Sequence, residues 1–324
     1  MNPSGQTRRM FNFLGIVLGM ATLCAVGLGG CAKKSSGPER PRIALVMKSL
    51  ANEFFKTMEE GARDHHRAHA EAYDLKVVGI RNEEDVAQQI NLIESLMAQG
   101  LDALVIAPAD SKALVPVCKK ALQRGIVVVN IDNKLDADVL AAESISIPFV
   151  GPDNRKGARL AGEHLAQHLQ PGDKVAIIEG VPNAYNGIQR KLGFEDAMKA
   201  AGMEIVASQA GNWETAKATQ IVSAIVTAQP DLKAVLCAND SMALGALEAV
   251  KAAGKTGQIH VVGFDNIAAV QMLLKQGRIL ATVDQHADQL AVYGIEYALE
   301  ILTEKTTPAD KETPVDLITA EDLP

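Results

Sequence analysis

From Pro41 onward the chain alternates short apolar runs with segments of helical period, and this rhythm restricts the fold more than any other feature. Ile43-Ala44-Leu45-Val46-Met47 is a continuous apolar run, the pattern of a strand covered on both faces. Phe54, Phe55, Met58 and Ala62 then fall on one helical face. Residues 76–80 read as a strand, and Val86, Ile90, Ile93 and Met97 recur behind it at helical spacing. Strands over 103–107 and 126–131 flank a helix over 112–124. Strand–helix–strand alternation of this kind needs right-handed crossovers and produces a parallel sheet.

The rhythm pauses over 132–148 and then restarts. Residues 149–151 lead into a helix over 154–169, which the turn Gln170-Pro171-Gly172-Asp173 ends. Strands over 175–178, 204–207, 234–237 and 260–263 alternate with helices over 188–201, 215–228 and 242–253. A strand over 279–283 and a helix over 287–302 follow. A length of 324 residues accommodates two domains. The expected fold class is α/β, with two doubly wound parallel-sheet lobes, and the break near Gly151 suits a hinge.

Open parallel sheets bind ligands beyond the carboxyl ends of their strands. Lys48, Asn52, Phe54 and Phe55 follow the first strand here, and Asp132 and Asn133 follow the fourth. Arg190 lies beyond the turn after 175–178, and Trp213, the one tryptophan, lies beyond 204–207. Asn239, Asp265 and Gln285 follow the last three strands. Any one of these could be a helix cap, as Asn52, Asp132 and Asp265 illustrate. Together they place carboxylate, amide, guanidinium and aromatic groups at successive strand ends. A sugar hydroxyl is one donor and two acceptors, which such polar groups can saturate, and a sugar ring's apolar faces suit Phe and Trp.

The amino terminus carries Arg8 and Arg9 before an apolar stretch that ends in small residues, the pattern of an export signal. Its length would also permit an uncleaved membrane anchor. Leu28-Gly29-Gly30-Cys31 resembles the lipobox of bacterial lipoproteins, in which the cysteine is lipidated. The following Ala32–Arg40 stretch is polar and reads as a flexible tether. Cys118 and Cys237 sit in apolar segments and are expected as buried, reduced thiols.

The formal net charge of −7, with no basic run in the body of the chain, disfavours a nucleic-acid partner. No glycine-rich phosphate loop follows a strand. His65, His66 and His69 share one helix, and His164 and His168 have i, i+4 spacing without a third ligand, so no metal or cofactor is expected. No nucleophile–base pairing stands out, and an enzyme is not expected.

Several of these segments carry a family resemblance. Residues 43–55, Asn239-Asp240-Ser241-Met242-Ala243-Leu244-Gly245-Ala246, Val261-Val262-Gly263-Phe264-Asp265 and Ala281-Thr282-Val283-Asp284-Gln285 resemble the periplasmic ribose- and allose-binding proteins. Lys48, residues 129–136 and residues 176–180 follow the allose type. The likeness runs from Arg42 to the last helix. It implies a type I periplasmic binding protein with a three-segment hinge near Gly151, Gln285 and the C-terminal tail. Residues 1–30 would be a signal peptide and 31–40 a tether. Residues 41–151 and 285–312 would form the N-terminal lobe, and 152–284 and 313–324 the C-terminal lobe.

The resemblance also implies roles. Phe55 and Trp213 would sandwich a monosaccharide ring, with Phe54 lining the pocket. Asp132, Arg190, Asn239, Asp265 and Gln285 would bond hydroxyls, while Lys48 and Asn52 close one side. Asn133 and the loop 181–186 depart from both family patterns, which leaves the sugar's identity open. The implied setting is an exported monomer, lipid-anchored at Cys31 in the cell envelope, serving an ABC permease. A sensory binding protein serving a receptor is the alternative. Sugar-responsive repressors share the core, but here the place of their DNA-binding headpiece is taken by the apolar signal.

Overall fold

The computed structural model describes residues 40–305 and 308–323. The apolar amino-terminal stretch and Cys31 lie outside the described residues. Among the described residues no helix is long and apolar enough to cross a membrane.

The first lobe is built on β1 (Arg42–Ser49), β2 (Asp74–Ile80), β3 (Ala103–Ile106), β4 (Val127–Ile131) and β5 (Phe149–Pro152). With β11 (Lys311–Thr313) they form a six-stranded parallel sheet in the order β11-β5-β4-β3-β1-β2. Side chains of a strand alternate between faces, and β1 uses both. Ile43, Leu45 and Met47 pack with Phe54, Phe55 and Met58 of α1 (Glu53–Ala68). Ala44 and Val46 pack with Ile93 of α2 (Val86–Gln99) and Val117 of α3 (Val115–Gln123). This two-sided burial is why the first strand reads as an unbroken apolar run.

The second lobe holds β6 (Lys174–Glu179), β7 (Glu204–Ala210), β8 (Ala234–Cys237) and β9 (His260–Val262), parallel in the order β7-β6-β8-β9. Its helices are α5 (Asn154–Ala166), α6 (Tyr185–Ala200), α7 (Thr215–Ala228) and α8 (Asp240–Ala252), packed as the pairs α5–α6 and α7–α8. The chain passes between the sheets after β5, after β10 (Thr282–Asp284) and between β11 and β12 (Asp316–Ile318). Helix α10 (Ala287–Glu304) returns to the first sheet and lies against α1. A Cβ on Gly61 would stand 2.0 Å from the Asp288 carbonyl oxygen, so glycine permits that close helix crossing.

Some expected boundaries shift. The helix expected over 112–124 starts at Val115, because Asp110 Oδ1 accepts from the Lys112 and Ala113 amides and folds that stretch into a turn. Pro116 then sits in the first helical turn, where its missing N–H costs nothing. The strand expected over 279–283 pairs with β9 only through Val262 and Ala281, then continues as β10 against antiparallel β12. The pause over 132–148 contains α4 (Ala137–Ala142), capped by Asp136. The periodicity also missed α9 (Ala268–Lys275), β11 and β12, which are short. Cys118 and Cys237 are free and buried, and burial pushes the Cys118 thiol up to about 12 and the Cys237 thiol upward as well.

Candidate functional site

The carboxyl ends of both sheets face one small cavity. It is lined by Lys48, Asn52, Phe54, Phe55, Glu83 and Asp132 from the first lobe, and by Asn186, Arg190, Trp213, Asn239, Asp265 and Gln285 from the second lobe and the crossing after β10. Its free volume is about 230 Å³, mouth included.

Two buried ion pairs sit at opposite walls. Lys48 Nζ lies 3.1 Å from Asp132 Oδ2. Arg190 Nη1 lies 3.4 Å from Asp265 Oδ1, which also accepts from Gln285 Nε2 at 2.7 Å. Arg190 is fixed further by Asn154 Oδ1 at 2.8 Å and the Ala238 carbonyl at 3.0 Å, and its guanidinium lies 3.7 Å from the Phe264 ring centre. Asn52 Oδ1 caps α1 through the Phe54 amide at 3.1 Å, while its Nδ2 donates to Glu83 Oε1 at 3.0 Å. Asn239 Oδ1 likewise caps α8 through the Met242 amide. Capping and site lining are therefore compatible roles for one side chain.

Several buried polar atoms on these walls have no hydrogen-bond partner. They are Glu83 Oε2, Asp132 Oδ2, Arg190 Nη2 and Gln285 Oε1. Asp132 Oδ2 keeps its ion pair with Lys48, without hydrogen-bond geometry. An unpaired buried polar group costs ~1–3 kcal/mol, so three of them beside an Asp132 oxygen held only by its ion pair mark a surface shaped for hydrogen bonds with a ligand.

Phe54 and Phe55 meet edge to face with ring centres 5.0 Å apart. Trp213 lies across the cavity, with Lys48 Nζ and the Arg190 guanidinium each 5.6 Å from its ring centre. A Cβ on Gly180 would stand 2.0 Å from the Trp213 ring, so only glycine leaves the indole its place. Asp132 (φ 59°), Trp213 (φ 68°) and Asp265 (φ 123°) all have positive φ. Such backbone costs of order 1–3 kcal/mol per residue and concentrates at functional sites. Periodicity carries no signal for it.

Burial raises two carboxyls of the cavity wall. Asp265 is pushed well above the ordinary range against the opposing pull of Arg190, and burial also raises Glu83. Arg190 itself is lowered by burial, with Asp265 opposing. Asp240, behind the cavity wall, is raised by burial to about 7, although Thr282 Oγ1 and the Ile267 amide donate to it. Between pH 4 and 7 the folded Asp240 therefore holds a proton that the unfolded chain has released, so its contribution to stability falls as pH rises. Denaturation of the wild type and of Asp240→Asn across that window should show the wild type losing ground by up to ~1.4 kcal/mol per pH unit. Parallel curves would contradict this protonation.

Ten of the eleven expected ligand-contacting residues line the cavity, and Asn133 does not. Its Nδ2 donates to the Pro108 carbonyl at 2.9 Å, and its Oδ1 accepts from Ser111 Oγ and the Asn186 amide. Asn133 thus ties the lobes together behind the cavity. Glu83 and Asn186 line it without having been expected. Glu83 follows β2 and so belongs to a strand end like the others. Asn186 is the last residue of the 181–186 stretch that departs from the family patterns and the second residue of α6. A larger groove lies beside β5 and β11, and two ion pairs, Lys134 with Asp310 and Arg155 with Asp196, join residues of its own lining. The helix-borne histidines hold tertiary contacts, as in the 2.8 Å contact of His65 Nδ1 with Tyr73 Oη, and no cluster suited to a metal occurs among the described residues.

Residues 43–306 match the family described as the periplasmic binding protein domain. The chain belongs to that family. A D-ribose/D-allose-binding protein of Pseudomonas aeruginosa is 57% identical over 303 residues, 92% of this chain and 95% of that protein. A solved ABC transporter solute-binding protein of Burkholderia multivorans superposes with a TM-score of 0.85 at 54% identity, covering 86% of this chain and 99% of that one. It carries an unknown ligand built as α-D-erythrofuranose. A periplasmic solute-binding protein of Actinobacillus succinogenes with bound D-allose has a TM-score of 0.83 at 35% identity, over 87% of this chain and 99% of that one. This periplasmic binding protein is accordingly a solute-binding protein and not an enzyme, with the two-lobed type I architecture. Its cavity walls are arranged to hold a solute by many polar contacts at once.

Proposed function

We propose that this chain is the substrate-binding component of an ABC importer and that it encloses a single uncharged aldose of the ribose or allose kind by closing its lobes. The supporting observation is a cavity with walls from both lobes, where unpaired buried donors and acceptors stand beside aromatic faces. A neutral ring bearing several hydroxyls satisfies such a surface without adding charge to it. The ligands of the Pseudomonas and Actinobacillus relatives support the same reading. A thermal-shift screen of neutral aldoses, sugar phosphates and amino acids tests it. An aldose should raise the melting temperature, and a response confined to phosphates or amino acids would overturn the sugar assignment.

In this reading, residues 41–151 with 285–312 and residues 152–284 with 313–324 move as two bodies about three crossings. Ligand shifts the population toward the closed form, which the permease reads. Polar contacts between the lobes outside the cavity support the closed form. Asn212 Nδ2 donates to the Glu84 carboxylate at 3.1 Å, and the Ala268 amide donates to Glu53 Oε1 at 2.9 Å. Losing one exposed contact of this kind costs roughly 1 kcal/mol. Glu84→Ala should therefore weaken sugar binding about fivefold in calorimetry, although Glu84 does not line the cavity. An unchanged affinity would mean that this contact does not belong to closure.

The mature protein would be a monomer held at the membrane by lipid on Cys31, with 32–40 as its tether. More than one acyl chain is needed for stable anchoring. Mass spectrometry of the membrane-extracted protein should find acyl groups on Cys31, and Cys31→Ser should release the protein. Loss of sugar uptake on deletion would support the importer role, whereas intact uptake with a lost transcriptional or chemotactic response would favour a sensor.

A further inference from the structure

The loop between β2 and α2 contains a residue with no evident structural reason to be buried. Arg81, Asn82 and Glu84 are exposed, yet Glu83 between them is only 5% exposed. Burying a carboxyl is costly unless it is paired and hydrogen-bonded. Only half of this one is provided for, since Oε1 accepts from Asn52 and Oε2 has no partner. Asn52 is itself held by capping α1, so the carboxyl is fixed in orientation. Lys48 attracts it across the cavity wall and opposes the upward push of burial. The next residue, Glu84, grips Asn212, the neighbour of Trp213 in the other lobe.

The geometry points to Glu83 as a ligand-recognition residue whose Oε2 bonds one hydroxyl of the bound sugar, so that the site discriminates sugars by the substituent at that carbon. This rests on the sugar-binding reading above. The packing explains the arrangement. The Glu84–Asn212 contact sits beside Glu83, so the loop seals its carboxyl against the ligand when the lobes meet. A carboxyl that only anchored Asn52 would need one oxygen, and the second would gain nothing from being turned away from water.

The test is a double-mutant cycle between protein and ligand. Wild type and Glu83→Gln are titrated by calorimetry with the sugar found in the thermal-shift screen and with its monodeoxy analogues. Glutamine keeps the acceptor for Asn52 and replaces the other oxygen with a donor. Affinity for the parent sugar should fall tenfold or more. For one deoxy analogue, and only one, wild type and variant should differ by less than twofold. A loss equal for all analogues, or no loss for any, would overturn the assignment while leaving sugar binding intact. A wild type that binds no neutral sugar would overturn the sugar reading and this inference together. Should Glu83→Gln fail to fold, a crystal structure of the wild type with its sugar decides. A ligand oxygen within ~3 Å of the Glu83 carboxyl is expected, and none there would overturn the proposal.

Discussion

Asp265→Ala is expected to weaken binding of the cognate sugar at least a hundredfold while leaving the fold in place. Asp265 accepts from Gln285 at 2.7 Å and from Arg190 at 3.4 Å, so its carboxyl positions two other groups of the site as well as facing the cavity. Losing a charged hydrogen bond removes ~1.5–3 kcal/mol, and each polar group left unpaired adds ~1–3 kcal/mol. Together these give about 3–5 kcal/mol, or roughly two to three decades of affinity. The fold should survive because Arg190 keeps Asn154, the Ala238 carbonyl and the face of Phe264. The substitution also removes a carboxyl that burial already strains. Calorimetry should find the affinity loss, and a loss below tenfold would mean that Asp265 supports the wall without touching ligand.

Trp213→Ala should have an effect of similar size and a different character. The indole fits against Gly180 and lies within 5.6 Å of cations from both lobes, Lys48 and Arg190. Truncating a buried aromatic costs ~3–5 kcal/mol, here shared between ligand contact and lobe packing. Binding should become undetectable at micromolar sugar, and the melting temperature should drop. Trp213→Phe should restore most of both. If the alanine variant bound within tenfold of wild type, the ring would not face the ligand.

The parallel sheets were legible because two-sided burial writes itself into sequence as apolar runs, as in Ile43–Met47. The site was legible because parallel sheets gather their carboxyl ends, so Asp132, Asn239 and Asp265 could be found by position without knowing their partners. Position alone also brings in Asn133, which lies behind the wall. Adjacent residues past a strand point in different directions, and only the fold reveals that Asn133 turns to Pro108 and Ser111. Glu83 has no signal in the sequence because a carboxylate in a polar loop looks like solvated surface, and its partner Asn52 lies 31 residues away. Positive φ at Asp132, Trp213 and Asp265 left no trace, since none of them is glycine. The short β11 and β12 depend on partners far away in sequence, which local periodicity cannot report.

Trp213 is the only tryptophan of the chain and lies in the cavity wall, so its fluorescence reports on the site alone. Titrating the protein with neutral aldoses should give a saturable fluorescence change for at least one of them, at one sugar per chain. Silence toward every neutral sugar, together with a saturable response to a charged solute, would contradict a carbohydrate clamped between the lobes.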